Sequence, residues 1–355
     1  MSCEFRIGER LIGRGHPVWV IAELSANHNR KYEEAEELVR RAGEAGADAV
    51  KLQTYTADTL TIDCDSELFR IGSGTIWEGR TLHELYEQAY MPWEWQPKLK
   101  TLANKLGMQL FSSAFDATAV DFLEDMGVPA YKVASFEIVD TPLIAYMART
   151  SKPLIISTGM ANLGEIQEAV QTARNAGAGK VALLKCTSAY PAPPEEMHLG
   201  TISHLAEAFH VPVGLSDHSL GIAVPAAAVA LGACIVEKHL TLSRDEPGPD
   251  SAFSLEPHEF KAMVDAIRVS EKAAGKASYE VGRNEAASLV FRRSLFAVRD
   301  IAAGEVLTED NVRSIRPGHG LPPRFLREIL GHRANCCIPR GTPLQWLHIG
   351  ACGNP

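Results

Sequence analysis

The sequence predicts an α/β chain: a (β/α)8 TIM barrel followed by a small β-rich domain. Three observations lead there. Eight short apolar runs alternate with helical patterns from Val18 to Ile267. A length of 355 residues fits one barrel plus something small. Beyond residue 288 the texture changes to short β-like runs broken by GE, PG and RG turns.

The eight runs are VWVIAELS (18–25), AVKLQTY (49–55), MQLFSSAF (108–115), AYKVAS (130–135), PLIISTG (153–159), VALLKCTS (181–188), VPVGLSDHS (211–219) and CIVEKHLTL (234–242). Continuous apolar runs of this kind suit strands buried on both faces, as in a parallel sheet. Between them the helical period is clear in Ala35, Leu38, Val39, Ala42, in Ile166, Ala169, Val170, Ala173 and in Phe260, Met263, Val264, Ile267. Several helices close on glycine just ahead of the next strand, as in EAGADAV and EDMGVPAY. No GxGxxG turn follows the first run, which argues against an open dinucleotide-binding sheet.

An insertion over 56–107 carries GTIWEG, LHELYEQAY and MPWEWQ, the last opening a helix with Pro92 near its start. Such insertions sit on the side of a barrel where active sites are built. The expected boundaries are a barrel domain over 1–280, a polar linker over 276–287 and a small domain over 288–355. A domain that small is near the lower limit for folding alone, so it is expected to lean on the barrel or on a partner subunit.

Composition narrows the function. A net charge of −9, spread along the chain, speaks against a nucleic-acid or anionic-membrane surface. An anionic substrate would then need a local pocket of positive charge. Seven cysteines (3, 64, 186, 234, 336, 337, 352) without a CxxC pair are expected to be reduced thiols in a cytoplasmic protein. The first residues, MSCEFRIGER, lack the apolar core of a signal peptide, and no run approaches a membrane span.

In a barrel, polar residues at the C-terminal ends of several strands are the strongest candidates for chemistry. Here they are Glu23; Lys51 and Gln53; Lys132, Ser135 and Glu137; Ser157 and Thr158; Ser188 and Tyr190; Ser216, Asp217 and His218; Glu237, Lys238 and His239. His218 and His239, ending adjacent strands, suit a shared metal with positions left open for water and substrate, or two separately satisfied core imidazoles. Lys51 and Lys132 interrupt apolar strands, where an unpaired charge is costly. Either each meets a carboxylate, or both face an anion. Serines 135, 157, 188 and 216 at neighbouring strand ends, taken with those lysines, favour a phosphate site. Trp77, Trp93 and Trp95 of the insertion stack on a sugar or pack the insertion against the barrel. RPGHG (316–320) reads locally as an ordinary turn.

The ordered set IAELSANHN, AVKLQTY, FSSAFD, YKVASFE, ISTGM, LLKCTSAYPAP, GLSDHSLG, EKHLT, GPDSAFSL and a tail bearing RPGHG resembles the sialic acid synthase family over nearly the whole chain. The tail resembles the antifreeze-like (SAF) domain of those enzymes. Within the family, ELSANHN, KLQTYTADTLTIDC, GTIWEG with LHELYEQAYMPWEWQ, and CTSAYPAP look like the pseudaminate-forming branch. Ser25 and Ser188 depart from the neuraminate-forming pattern, which has EIGxNHNG and an asparagine at those places.

The resemblance implies an assignment. Lys51, Gln53, Lys132, Ser135, Ser157, Ser188 and Ser216 would hold phosphoenolpyruvate. His218 and His239 would bind a divalent metal, manganese first, with magnesium or cobalt as alternatives. Glu23, Glu137, Tyr190 and Asp250 would contact an amino-sugar aldehyde, and Arg316 would reach it from the other subunit of a domain-swapped homodimer. The implied reaction condenses phosphoenolpyruvate with 2,4-diacetamido-2,4,6-trideoxy-altrose, with carbon–oxygen cleavage and release of phosphate. Alternatives are legionaminate or N-acetylneuraminate formation, a pyruvate aldolase with Lys132 or Lys238 as Schiff base, and a non-catalytic sugar-binding protein.

Overall fold

The computed structural model describes residues 4–74, 76–246 and 248–352, with the backbone alone at Cys352. Cys3, Thr75 of GTIWEG and the Cys352 side chain lie outside the described residues. The five described cysteine side chains are free thiols. Among the described residues no helix is long and apolar enough to cross a membrane.

The chain opens with an antiparallel hairpin, β1 (Phe5–Ile7) and β2 (Arg10–Ile12). The sequence reading did not expect it. Each strand is only three residues long, too short for period-two alternation to register. Its apolar residues Phe5, Ile7 and Ile12 are buried in one cluster with Trp19, which stacks on Phe111 at a 5.4 Å centroid distance.

All eight expected runs then form strands: β3 (Trp19–Glu23), β4 (Ala49–Thr54), β5 (Gln109–Ala114), β6 (Tyr131–Val133), β7 (Leu154–Ser157), β8 (Val181–Cys186), β9 (Val213–Asp217) and β10 (Ile235–His239). Each pairs in parallel with its chain neighbour, and β10 returns to β3 to close the barrel. The strands are shorter than the apolar runs because the run ends turn into the loops that carry the polar residues.

The helices bury the faces that their period marks. Ala35, Leu38, Val39 and Ala42 are buried on Tyr32–Ala45, as are Ile166, Ala169, Val170 and Ala173 on Leu163–Asn175. Phe260, Met263, Val264 and Ile267 do the same on Pro257–Ala274. In the insertion, Pro92 precedes a 3-10 turn, Trp93–Trp95, that runs into helix Gln96–Lys105.

The chain divides into two compact units, Met1–Gly275 and Lys276–Pro355. In the second, β11 (Ser294–Ala297) pairs with β12 (Val312–Ile315) and β13 (His332–Ala334) with β14 (Ile349–Cys352), all antiparallel. Leu295, Ile301, Leu307, Val312, Ile338 and Leu344 form its core. The stretch read as linker is irregular over 276–282 and then forms a helical turn, Arg283–Ala286.

One glycine shows how tightly the barrel closes. A Cβ built on Gly214 of β9 would lie 2.3 Å from the Ile235 carbonyl oxygen and 2.6 Å from Ile235 Cβ. Neither atom can retreat without moving β10. Gly214→Ala is therefore expected to destabilise the protein by about 1–3 kcal/mol, read as a lower denaturation midpoint of the full chain followed by far-UV circular dichroism.

Candidate active site

The C-terminal ends of the barrel strands bring most of the expected residues together. The centre is a buried lysine between two buried carboxylates. Lys51 Nζ lies 2.7 Å from Glu23 Oε2 and 3.3 Å from Glu237 Oε1, and donates to Ser113 Oγ at 3.2 Å. Burial alone would lower the Lys51 ammonium, but Glu23 and Glu237 outweigh it and hold it above the ordinary lysine range. Burial pushes Glu23 up against the pull of Lys51. Glu237 is held below the usual carboxylate range because Lys132 and Lys51 together overcome its desolvation.

Lys132 is different. It is 2% exposed, and its ammonium donates to Ser157 Oγ at 2.6 Å and to the Val133 carbonyl at 3.1 Å. Among the described residues no carboxylate comes within 4.0 Å of it. Burial lowers its pKa, with Glu237 only partly opposing. Of the two possibilities left open for the buried lysines, Lys51 takes the carboxylates and Lys132 is left facing an anion.

Hydroxyls gather beside it. Ser135 Oγ accepts the Gly159 N–H at 3.2 Å. A Cβ on Gly159 would sit 2.2 Å from Ser188 Oγ and 2.7 Å from Ser135 Oγ, so the absent side chain is what lets two hydroxyls from different strand ends converge. Ser216 Oγ donates to Glu237 Oε1 at 3.2 Å.

A second group lies across Lys51. Gln53 Nε2 donates to Glu23 Oε1 at 3.1 Å and to Ser25 Oγ at 2.9 Å, and Ser25 Oγ in turn donates to Asp250 Oδ2. Burial raises the Asp250 carboxyl, with the Ser25 hydroxyl opposing.

The third group is aromatic. The His218 and His239 rings are 5.2 Å apart, with Tyr190 4.5 Å from His218 and Phe253 5.0 Å from His239. His218 Nδ1 donates to the Thr187 carbonyl at 3.0 Å, which leaves Nε2 to face elsewhere. Burial works against charge on His218, while Cys186 Sγ, 3.8 Å from its Nδ1, holds it above the ordinary imidazole range. His239 is kept neutral, well below that range, by burial and by His218. Its Nδ1 is buried with no hydrogen-bond partner among the described residues. An orphaned neutral imidazole nitrogen beside a second imidazole suits a divalent cation. Among the described residues no group of three or more His, Cys, Asp or Glu is disposed to hold a metal, so two protein ligands would leave the other positions open.

The tryptophans divide. Trp77 lies 5.6 Å from Tyr190 and donates Nε1–H to the Pro249 carbonyl at 2.9 Å, beside the site. Trp93 tilts against Phe122, and Trp95 packs edge-on against His28 and Tyr32. Those two anchor the insertion. Lys238 is fully buried, 2.5 Å from Asp217 Oδ2 and also bonded to the Ser219 carbonyl, so it is a structural cation. Arg316 belongs to the second unit, where Ser294 Oγ donates to the Pro317 carbonyl of its turn at 2.7 Å and accepts the Gly320 N–H at 2.8 Å.

The NeuB family model matches residues 38–279 and the SAF domain model residues 292–350. The chain belongs to the NeuB family. It is 44% identical to the pseudaminic acid synthase of Helicobacter pylori, over 93% of this chain and 97% of that one. It is 38% identical to the N,N'-diacetyllegionaminic acid synthase of Legionella pneumophila, over 96% of each. The solved N-acetylneuraminic acid synthetase of Leptospira borgpetersenii is 30% identical, covers 81% of this chain and 96% of its own, and superposes with a TM-score of 0.72. The chain is thus an enzyme of the sugar-acid synthase class, with the barrel and SAF domain that the sequence predicted.

Sequence reasoning named Glu237 only as a strand-end residue and gave it no role. Its signal was an acid inside the apolar run CIVEKHLTL. Ser113, Gly159 and Phe253 were missed, because serine, glycine and phenylalanine are unremarkable where they stand in sequence.

Glu137 offers a test independent of substrate. Burial raises its carboxyl from an ordinary 4.5 to about 7, and its Oε2 has no partner among the described residues. A raised carboxyl stabilises the fold below its unfolded value, and that contribution is lost as pH climbs towards 7. Glu137→Gln should therefore stabilise the free protein relative to wild type by roughly 3 kcal/mol at pH 8, with the difference shrinking to nothing near pH 4.5. Denaturation midpoints across that range check it.

Proposed function

We propose that the protein is a cytoplasmic synthase that condenses phosphoenolpyruvate with 2,4-diacetamido-2,4,6-trideoxy-altrose to give pseudaminic acid and phosphate. The observation that carries this is the uncompensated Lys132 ammonium. It is buried against the Ser157 hydroxyl, with the Ser135 and Ser188 hydroxyls converging at Gly159 two residues beyond Ser157, at the same barrel end as a histidine pair and a group of carboxylates. The sugar is supported by 44% identity to a pseudaminic acid synthase against 38% to a legionaminic acid synthase. The division of labour is a synthase barrel over 1–280 and an SAF domain over 288–355. The aldolase reading loses Lys238, whose ammonium is locked on Asp217.

In this reading Lys51, Gln53, Lys132, Ser135, Ser157, Ser188 and Ser216 hold phosphoenolpyruvate, with Lys51 and Gln53 on the side that meets the sugar. Glu23, Glu137, Tyr190 and Asp250 contact the open-chain sugar. Carbon-3 of phosphoenolpyruvate attacks the aldehyde, positive charge develops at carbon-2, and Glu23 or Glu137 stabilises it. Glu137, with its carboxyl near 7, is suited to take the proton of the water that adds there. Phosphate then leaves with the bridging oxygen.

His218 and His239 fit a divalent cation, manganese first and magnesium or cobalt next. When bound, such an ion supplies Lewis acidity to the aldehyde oxygen. The chain acts as a domain-swapped homodimer, in which Arg316 of a second copy completes the sugar pocket. Exposed Phe136, Val139, Met160 and Leu220, on loops after barrel strands, supply apolar surface for such an association.

Two tests follow. His218→Ala and His239→Ala should each abolish turnover and remove manganese binding measured by titration calorimetry, while circular dichroism stays unchanged. Chelation of the native enzyme should be reversible, and full activity of metal-free protein would overturn the assignment. Lys132→Ala should raise the KM for phosphoenolpyruvate roughly ten- to a hundredfold, the loss of one charge-assisted contact of about 1.5–3 kcal/mol. Oxygen label in the bridging position should appear in phosphate. In a panel of sugars the diacetamido altrose should have the highest kcat/KM; faster turnover of N-acetylmannosamine would move the protein to another branch of the family.

A further inference from the structure

We propose that Ser25 is a positioning residue that sets the selectivity of the sugar pocket, an inference that rests on the synthase reading. Ser25 is buried and has φ of +45°, a left-handed conformation that side chains other than glycine rarely adopt. A serine kept in such a place calls for a reason, and its hydrogen bonds supply one.

A hydroxyl has one proton to donate. That of Ser25 goes to Asp250 Oδ2, and its oxygen accepts from Gln53 Nε2 at 2.9 Å. The other Gln53 N–H goes to Glu23 Oε1 at 3.1 Å, and the Ser25 backbone N–H meets the same Glu23 oxygen at 3.0 Å. The result is a continuous rail, Glu23–Gln53–Ser25–Asp250. It joins the ends of β3 and β4 to the loop that follows β10.

Two consequences follow for the sugar. The Gln53 amide cannot flip, because both its N–H groups are committed; its Oε1 makes no hydrogen bond among the described residues and is available as an acceptor. Asp250 is held by the Ser25 hydroxyl, with only a longer 3.5 Å contact from the Ala26 N–H besides among the described residues. The loop itself is pinned by Ser254 Oγ to the Asp250 carbonyl at 2.6 Å and by Trp77 to the Pro249 carbonyl at 2.9 Å. Remove the hydroxyl and the loop stays, but the carboxylate is free to turn. A wall of fixed acceptors selects a substrate presenting N–H and O–H donors in one arrangement, and rejects an analogue whose donors lie elsewhere.

The test uses the full-length enzyme and two variants. Ser25→Ala removes the hydroxyl and keeps the Cβ; Ser25→Gly also suits the positive φ and so guards against a folding failure. On the sugar that the wild type prefers, both variants should raise the sugar KM roughly ten- to a hundredfold, with the KM for phosphoenolpyruvate changed less than about twofold. The kcat/KM ratio between that sugar and N-acetylmannosamine should fall in both variants. An unchanged sugar KM in either variant, or equal rises for both substrates, overturns the role of Ser25. Because the wild-type panel is read first, a wrong sugar assignment appears there, separately from the outcome at position 25.

Discussion

The arrangement of the site depends on one ammonium. Lys51 Nζ is almost wholly withdrawn from water, and in that position it is tolerable only because Glu23 and Glu237 flank it. The converse also holds. Two buried carboxylates on strands β3 and β10, which are hydrogen-bonded neighbours in the barrel, would repel each other without the lysine from β4. Everything around this triplet takes its charge from it. Glu237 stays ionised, Glu23 is poised between burial and ion pairing, and Lys132 is left with hydroxyl and carbonyl partners alone. A buried cation with no carboxylate within 4.0 Å among the described residues, its desolvation only partly offset by the more distant Glu237, is a standing demand for an anionic ligand.

The barrel makes this economical in atoms. Each strand end delivers one or two side chains to a shared mouth, so residues far apart in sequence meet without long loops. Close strand packing at Gly214 and the bare backbone at Gly159 remove bulk where two neighbours must approach. The hairpin of β1 and β2 shares a core cluster with Trp19 and Phe111, which adds apolar burial at the start of the first barrel strand. Functional groups are thereby carried on rigid elements, and the irregular segments after β4 and β10 are left to define the rim.

On that rim two groups of polar residues separate spatially. The lysine and serine side, Lys132 with Ser135, Ser157, Ser188 and Ser216, lies on β6 to β9 and the loops that follow them. The Glu23–Gln53–Ser25–Asp250 side lies on β3, β4 and the loop after β10, where Trp77 of the insertion also arrives. Under the proposed function, variation on the second side would change the sugar without disturbing the anion site.

Sequence alone determined the architecture and most of the cast. Eight apolar runs separated by helices of 3.6 period leave few folds other than a closed parallel barrel, because every strand must be buried on both faces. Polar residues that interrupt such runs, Lys51, Lys132, Glu237 and His239, announce themselves by their cost. The short hairpin escaped notice because three-residue strands show no period. What the residues do with one another was decided only in three dimensions. Nothing in the order of the chain says that Lys51 meets two carboxylates while Lys132 meets none, or that Trp77 adjoins the site while Trp93 and Trp95 serve packing. Nor does it say that a glycine lets two serines converge. Those are distances between strand ends, and strand ends become neighbours only when the sheet closes and fixes its register.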